Sequence, residues 1–529
     1  MIYSQAIDVQ LLDEATCASQ GITSFQLMQR AADVATRAII RLYPNRATRM
    51  MVLAGPGNNG GDALCIVRRL YEEDYPVTAF LYAPGDRLSD DCREAMNLVP
   101  AGVLNRVDGR TELPELTEAD VIVDGLLGSG TNRPLEGGMA YLVQWINQSP
   151  AEVVSIDVPT GLRMGRYVAE ETPAAVIATH TLTFEHVKLT FLLPECADFL
   201  GQWEVLRIGL IPYQKVPTLA TPYRRLTREA VAALYRPRSR FAHKGTLGHA
   251  ALVAGSRGMM GAAVLAARAC LRSGVGLLTA YVPSCGYTIL QTAVPEAKCA
   301  TVGEDCLTRF TLPDGYNALG MGPGLGTARD TALALHYLIE HATRPMVLDA
   351  DALNLLATHP EWWKLLPSET VLTPHPKEAD RLLRSAYQAG LLHGTVSASP
   401  EVMKLQSSYL RLERMRALAR EARVIVVLKG AYTAVLLPSG EAWVNTEHGH
   451  AGMAVGGTGD TLTGILLALL AAQYPPRDAA LLGVYLHSAA ADAALAHVGA
   501  MESWLPGDLI DALGEAFREV SHPIENTTF

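Results

Sequence analysis

Short apolar runs alternate with amphipathic stretches along nearly the whole chain. In the first half the runs are Met50–Ala54, Val77–Tyr82, Val121–Asp124, Val153–Asp157 and His180–Phe184. In the second they are Ala250–Ala254, Gly276–Val282, Ala318–Met321, Met346–Asp349, Val371–Thr373 and Val424–Lys429. Most are rich in Val, Ile and Leu, end on Gly, Pro or Asp, and precede a segment with apolar residues at helical spacing. That order predicts buried parallel strands joined by helices, an α/β protein. Between the halves, Ile211 to Arg225 holds Pro212, Pro217 and Pro222 with little apolar periodicity, so it reads as a linker. The expected domains are 1–213 and 225–529. Tyr387 to Ser408 is loosely patterned and reads as an insertion or an exposed helix.

Composition narrows the class. A chain of 529 residues exceeds one ordinary core, and 49% hydrophobic against 19% charged residues fits well-buried domains. The net charge of -10 and the lack of a basic run argue against nucleic acid as the main partner. The eight cysteines include no CxxC pair, which points to free thiols in a reducing compartment. No N-terminal signal pattern and no unbroken apolar stretch of 18 residues is found, so a soluble, cytoplasmic protein without a membrane partner is expected. The apolar helices Ala31–Leu42 and Leu481–Ala496 suit either a core or a subunit interface.

Each half carries a glycine-rich ligand loop. After Met50–Ala54 comes GPGNNGGD, residues 55 to 62. Gly55, Gly57 and Gly60 satisfy GxGxxG, but the next strand ends Phe80-Leu81-Tyr82-Ala83-Pro84 without the acid that a dinucleotide site uses on its ribose. Asn58 and Asn59 with Asp62 look instead like a polar cradle. Two further strand ends deliver Asp124 before GLLGSGTNRPL, with Arg133 available for a phosphate, and Asp157 before VPTGL. Any one of these acids alone reads as a cap or turn residue. Three at the carboxyl ends of parallel strands converge on one crevice. Oxygen ligands from Asn59, Asp124 and Thr160 suit a hard cation.

In the second half, Gly255, Gly258 and Gly261 open a helix with Ala262, Ala263, Ala266 and Ala267, small enough for close approach. Downstream lie GPGLG (322–326), DADALNLL (349–356), TPHPKE (373–378), LKGAYT (428–433) and GGTGDTLTG (456–464). The last is the most informative. Its glycines bring the free N–H groups of a helix start against an anion, and Asp460 at that mouth suits proton removal from a hydroxyl. The plainer alternative makes Asp460 the helix N-cap. Lys429 and Gly430 at a strand end suit a nucleotide phosphate, with the Thr433 hydroxyl nearby. Glu378 suits Mg²⁺ through water. His375 reads as a general base or as a structural turn residue.

In order and content these motifs resemble the bifunctional NAD(P)H-hydrate repair enzymes, in which an NAD(P)HX epimerase is fused to an ADP-dependent (S)-NAD(P)HX dehydratase. The resemblance covers almost the whole chain. It implies an N-terminal Rossmann-like three-layer αβα sandwich and a C-terminal ribokinase-like αβα domain. It also implies NADHX and NADPHX as substrates and ADP as co-substrate. In the epimerase, Asn58, Asn59, Gly60, Gly61, Asp62, then Gly128, Ser129, Gly130, Thr131, Asn132, Arg133 and Pro134, and Asp157 would contact the hydrate. Asn59, Asp124 and Thr160 would bind K⁺, and Asp157 is the expected proton carrier. In the dehydratase, Ala262, Gly322, His375 and Asp460 would face the hydrate, with Asp460 as base. Lys429, Gly430, Ala431, Tyr432, Thr433 and Gly459 would hold the nucleotide, with Mg²⁺. The chain departs from the family pattern at Gln29, Lys377 and Val455, none an expected acid, base or cation ligand. The rival expectation is a ribokinase-type small-molecule kinase fused to a non-catalytic Rossmann-like binding domain. Oligomer formation is expected.

Overall fold

The computed structural model describes residues 1–108, 111–131, 133–165, 174–219, 221–392 and 407–522. They form two compact units, one built on Met1–Tyr223 and one beginning at Arg224.

The first unit holds a sheet of seven strands: β1 (Met50–Ala54), β2 (Val77–Leu81), β3 (Leu104–Arg106), β4 (Val121–Gly125), β5 (Glu152–Ile156), β6 (His180–Phe184) and β7 (Gln202–Leu206). Their order is β3-β2-β1-β4-β5-β6-β7, and every pairing is parallel. Side chains alternate across the sheet. Met50, Val52 and Ala54 pack with Ala35, Ile39, Leu64 and Val67 on one face. Met51 and Leu53 pack with Leu142, Val143 and Ile146 on the other. Two helices (Ser24–Leu42 and Asn58–Glu72) therefore cover one face and Gly137–Gln148 the other, a three-layer sandwich. The chain runs outward from β1 to β3 and returns to β4, so the topological switch point lies between β1 and β4. Ligands of open α/β sheets bind there.

The second unit holds ten strands: β8 (Tyr223–Leu226), β9 (His249–Val253), β10 (Leu277–Val282), β11 (Lys298–Thr301), β12 (Ala318–Met321), β13 (Met346–Leu348), β14 (Val371–Leu372), β15 (Ile425–Leu428), β16 (Ala434–Leu436) and β17 (Ala442–Asn445). The order is β11-β10-β9-β12-β13-β14-β15-β16-β17-β8, parallel from β11 to β15 and antiparallel through β15-β16-β17. Here the switch point is between β9 and β12, where the 255–261 and 322–326 loops leave the sheet. The core is closed by helices Met260–Arg272, Thr458–Ala471 and Pro476–Val498. The first two cross so closely that a Cβ on Gly464 would stand 2.2 Å from the Ala266 carbonyl oxygen, which is why small residues line both. The helix Pro476–Val498 is long and apolar enough to cross a membrane, yet it is 78% buried and fills this core.

Each predicted strand lies within one residue of an observed one. The six that escaped prediction have physical reasons. β3, β7 and β11 have half-exposed, mostly polar faces. β8, β16 and β17 are three or four residues long, too brief for periodicity to register. The loosely patterned stretch 387–408 falls mostly outside the described residues, apart from the end of helix Pro376–Gln388 and the start of Ser408–Glu421.

Candidate functional sites

In the first unit a cavity of about 1250 Å³ opens at the switch point, lined by Asn58, Asn59, Asp62, Gly128, Ser129, Gly130, Thr131, Arg133, Pro134 and Asp157, among others. Asn132 lies outside the described residues. The glycines are required by close contacts. A Cβ on Gly55 would stand 1.7 Å from the Leu126 carbonyl oxygen, and one on Gly60 would stand 1.8 Å from that of Gly55. Gly57 is the N-cap that starts the helix at Asn58.

Asp157 follows β5 with φ 66°, a left-handed backbone that a non-glycine residue adopts at a cost of about 1 kcal/mol or more. Its Oδ1 lies 2.5 Å from Nζ of the fully buried Lys188, and its Oδ2 accepts the Ser129 N–H at 3.1 Å. Asp124 is fully buried and accepts from the Thr160 hydroxyl (2.6 Å), the Thr160 N–H (2.9 Å) and the Ser155 hydroxyl (2.8 Å). Burial nevertheless pushes its carboxyl up, since removing the charge from water outweighs those bonds. Asp62 is raised well above its ordinary value by burial and by Asp157 and Asp13. The amide Nδ2 and Oδ1 of Asn59 are buried without a hydrogen-bond partner among the described residues. Asn59 stands beside the crevice, since a Cβ on Gly128 would lie 3.2 Å from both Asn59 Cβ and Asp157 Oδ2. The unpartnered Asn59 amide oxygen is a donor of the kind a weakly hydrated hard cation takes, while the Asp124 carboxyl and the Thr160 hydroxyl are bonded to each other.

In the second unit, Asp349 ends β13 at 1% exposure, and Ala350 after it takes φ 47°. Asp349 Oδ1 pairs with Lys429 Nζ at 2.7 Å, and its Oδ2 accepts the Thr463 hydroxyl at 2.8 Å. Lys429 thus faces inward at the end of β15, with Glu378 Oε2 4.0 Å from Nζ. Gly457, at φ 99°, caps the helix Thr458–Ala471, so the alternative of Asp460 as N-cap is wrong. Asp460 sits in the first turn, its carboxyl raised to about 7 by burial and by Asp349, against the pull of Lys429. A protonatable carboxyl at a positive helix end is what a general base requires near neutrality.

His375 caps the helix Pro376–Gln388: its Nδ1 accepts the N–H groups of Lys377 (3.1 Å) and Glu378 (3.4 Å), and Glu378 accepts the His375 N–H in return. That bonding leaves the proton on Nε2 and ties up Nδ1, so the structural reading of this histidine holds for one nitrogen only. Burial and Lys429 lower its basicity. Gly322, at φ 135°, lets the chain pass Asp349, whose carbonyl oxygen would be 1.8 Å from a Cβ. Ala262 borders the same loop, since a Cβ on Gly324 would stand 3.1 Å from the Ala262 methyl. The Thr433 hydroxyl donates to the Gly430 carbonyl at 3.3 Å, which closes the turn Gly430, Ala431, Tyr432, Thr433.

Among the described residues no group of three or more His, Cys, Asp or Glu is arranged to hold a metal ion. Sequence reading missed Lys188, Tyr3 and Asp13 in the first site and Asp349 and His487 in the second. Asp349 had a signal, a strand-end acid within DADALNLL. Lys188 and His487 had none, because their partners are remote in the chain.

Fold and sites together define a bifunctional α/β enzyme, with a cavity at the switch point of the first sheet and a buried charged cluster at the strand ends of the second. Residues 250–514 match the family model described as NAD(P)H-hydrate dehydratase, and residues 24–190 match that of the YjeF-related protein N-terminus. The chain is 33% identical to a bifunctional NAD(P)H-hydrate repair enzyme of Moorella thermoacetica, over 98% of this chain and 97% of that one. It is 34% identical to the Escherichia coli protein of the same description, over 93% and 89%. An ADP/ATP-dependent NAD(P)H-hydrate dehydratase from Bacillus subtilis, co-crystallized with ATP and Mg²⁺, is 30% identical, with a TM-score of 0.46 over 56% of this chain and 98% of that one. The chain belongs to the family of bifunctional NAD(P)H-hydrate repair enzymes.

Proposed function

We propose that the chain repairs nicotinamide cofactors hydrated at C6, with residues 1–213 interconverting the R and S forms of NADHX and NADPHX and residues 225–529 dehydrating the S form at the expense of ADP. The observation that carries the second activity is Asp460, a carboxyl near neutrality at the mouth of a glycine-led helix and beside the Lys429–Asp349 pair. Asp460 takes the proton of the C6 hydroxyl as its oxygen attacks the terminal phosphorus of ADP, and AMP departs. The N–H groups at the helix start around Gly459, with Lys429, hold the transferring oxygens. Mg²⁺ bound here would neutralise phosphate charge. Phosphate then leaves from C6 as the ring nitrogen's lone pair pushes it out, and loss of a C5 proton restores the dihydropyridine. Gly430 to Thr433 bind the nucleotide, and Ala262, Gly322 and His375 the hydrate.

In the first unit, Asn58 to Asp62 and Gly128 to Pro134 hold the hydrate, and Asp157 moves a proton at its C6 hydroxyl. Asn59, Asp124 and Thr160 hold K⁺, which would supply positive charge and rigidity at the loop. Eight free cysteines support a reducing, cytoplasmic setting. Incubation with mixed NADHX epimers, with and without ADP, tests the function through NADH absorbance. Full, ADP-dependent recovery is expected. A rise that halts at the S fraction, beyond spontaneous exchange, overturns the epimerase, and no ADP-dependent rise overturns the dehydratase.

A further inference from the structure

Asp13, on the helix Ala6–Gln20, lines the first unit's cavity together with Tyr3, Asp62 and Asp157. Its surroundings differ from those of Asp157. Asp157 is committed to Lys188 and the Ser129 N–H, whereas Asp13 makes no hydrogen bond or ion pair among the described residues. Beside it stands Tyr3, 1% exposed, whose hydroxyl is buried without a partner although it borders the cavity. Of all charges acting on that hydroxyl, that of Asp13 is the largest, and the Tyr3 ring centre lies 5.7 Å from Lys188 Nζ. A buried hydroxyl and a carboxyl, both without a hydrogen-bond partner among the described residues, thus border one cavity.

The chemistry calls for two such groups. Inverting C6 requires the C6–O bond to break on one face and re-form on the other. In the first step the ring nitrogen's lone pair makes N1=C6, and the C6–O pair leaves on an oxygen that takes a proton from a carboxylic acid, giving water. In the second, water adds to the opposite face, the N1=C6 π pair returns to nitrogen, and a carboxylate accepts the released proton. One acid and one base on opposite sides suffice, their roles exchanged in the reverse direction.

We propose that Asp13, supported by the Tyr3 hydroxyl, is the second proton carrier of the epimerase, facing Asp157 across the hydrate. This rests on the epimerase reading of the first unit. The groups acting on Asp13 are Asp157, Glu14 and Glu185, which hold its proton on, and Lys188, which draws it off, while Asp62 borders the same cavity. Burial and those neighbours put its carboxyl at about 7.

The test measures R–S interconversion of NADHX by the full-length protein, with ADP-dependent loss of the S form as the internal control. Asp13→Asn is expected to slow interconversion about 10²–10⁴-fold while S-form dehydration and melting temperature persist. Asp13→Glu is expected to recover part of the rate, and the inflection near pH 7 in the wild-type profile is expected to vanish in Asp13→Asn. Tyr3→Phe is expected to cost about tenfold. Wild-type interconversion with an unchanged pH profile in Asp13→Asn overturns the proposal, as does a full loss found in Asp62→Asn and not in Asp13→Asn. If the unaltered protein does not interconvert the epimers, the epimerase reading fails first and the proposal with it.

Discussion

Lys429 Nζ and Asp349 Oδ1 stand 2.7 Å apart, and Gly459 lies over the pair so that a Cβ there would be 3.1 Å from Nζ and 3.5 Å from Asp349 Oδ2. The ion pair and the helix start are thus one surface, in which the glycine leaves open space against a half-buried ammonium.

That contact separates stability from binding. Gly459 lies in the first turn of an α-helix, where alanine is favoured over glycine by up to about 1 kcal/mol, and the crowded atom is the movable end of a lysine. Gly459→Ala should therefore melt at or slightly above the wild-type temperature. Its KM for ADP should rise about tenfold, because the added methyl occupies the space between Nζ and the phosphate. An unchanged KM would show that the nucleotide lies elsewhere.

Asp460→Asn should retain hydrate and nucleotide binding and lose about 10²–10⁴ in turnover. The wild-type kcat/KM for dehydration should rise with pH through about 7, as the carboxyl ionises, and the variant should lose that limb. Turnover near the wild-type value removes Asp460 as the base.

The same residue carries a stability signature of opposite sense. Its folded carboxyl is raised to about 7, against an unfolded value near 4. Between those values the folded protein keeps a proton that the unfolded chain has released. Stability is therefore full below about pH 4 and falls as pH rises through 7, by an amount on the order of a few kcal/mol. Asp460→Asn should melt higher than wild type at pH 8, with the gap closing toward pH 4. Parallel melting curves across that range would contradict a buried carboxyl.

How much of this was legible beforehand depends on how local each signal is. The strand ends Asp124, Asp157 and Lys429 and the glycine loops at 55–62 and 456–460 are local patterns, in which apolar runs stop at polar or turn residues; Asp124 and Asp157 end strands at or next to the first sheet's switch point, and Lys429 ends β15, where it pairs with Asp349. Asp13 sits mid-helix between Leu12 and Glu14, and only the fold carries it to the cavity. Lys188 is unreadable for the same reason: a fully buried lysine needs Asp157 and Thr183, and neither pairing has a sequence period. His375 was half legible, since HP before an acid is a helix-start pattern, and the capping box with Glu378 is what the chain forms.

Asn59 supplies a cation test. Its unpartnered amide oxygen should be satisfied when K⁺ is present. Exchange of K⁺ for tetramethylammonium should lower the melting temperature of the first unit's transition by a few degrees, and Asn59→Ala should abolish that difference. A cation response preserved in Asn59→Ala would exclude this residue as a ligand.

His487 holds the first turn of the helix Thr458–Ala471 from behind. It is 7% exposed on the helix Pro476–Val498, and its Nε2 lies 3.0 Å from the Thr458 carbonyl and 3.2 Å from the Thr461 hydroxyl. The Thr461 hydroxyl donates to that same carbonyl at 2.7 Å, so Nε2 carries the proton and donates as well. Burial pushes the imidazole down to about 4, below the unfolded value near 6.5. The folded state excludes a proton that the unfolded chain binds, so stability is complete above about pH 6.5 and is lost as pH falls through 4. His487→Leu removes the donor while keeping bulk. It should cost about 1–2 kcal/mol at pH 7.5 and raise the KM for ADP several-fold, because the turn bearing Gly459 and Asp460 loses a tether. His487→Gln, whose amide can reach the same carbonyl, should restore the KM and also escape the acid destabilisation. If His487→Leu loses stability without any change in KM or kcat, the tether holds the core and not the anion site.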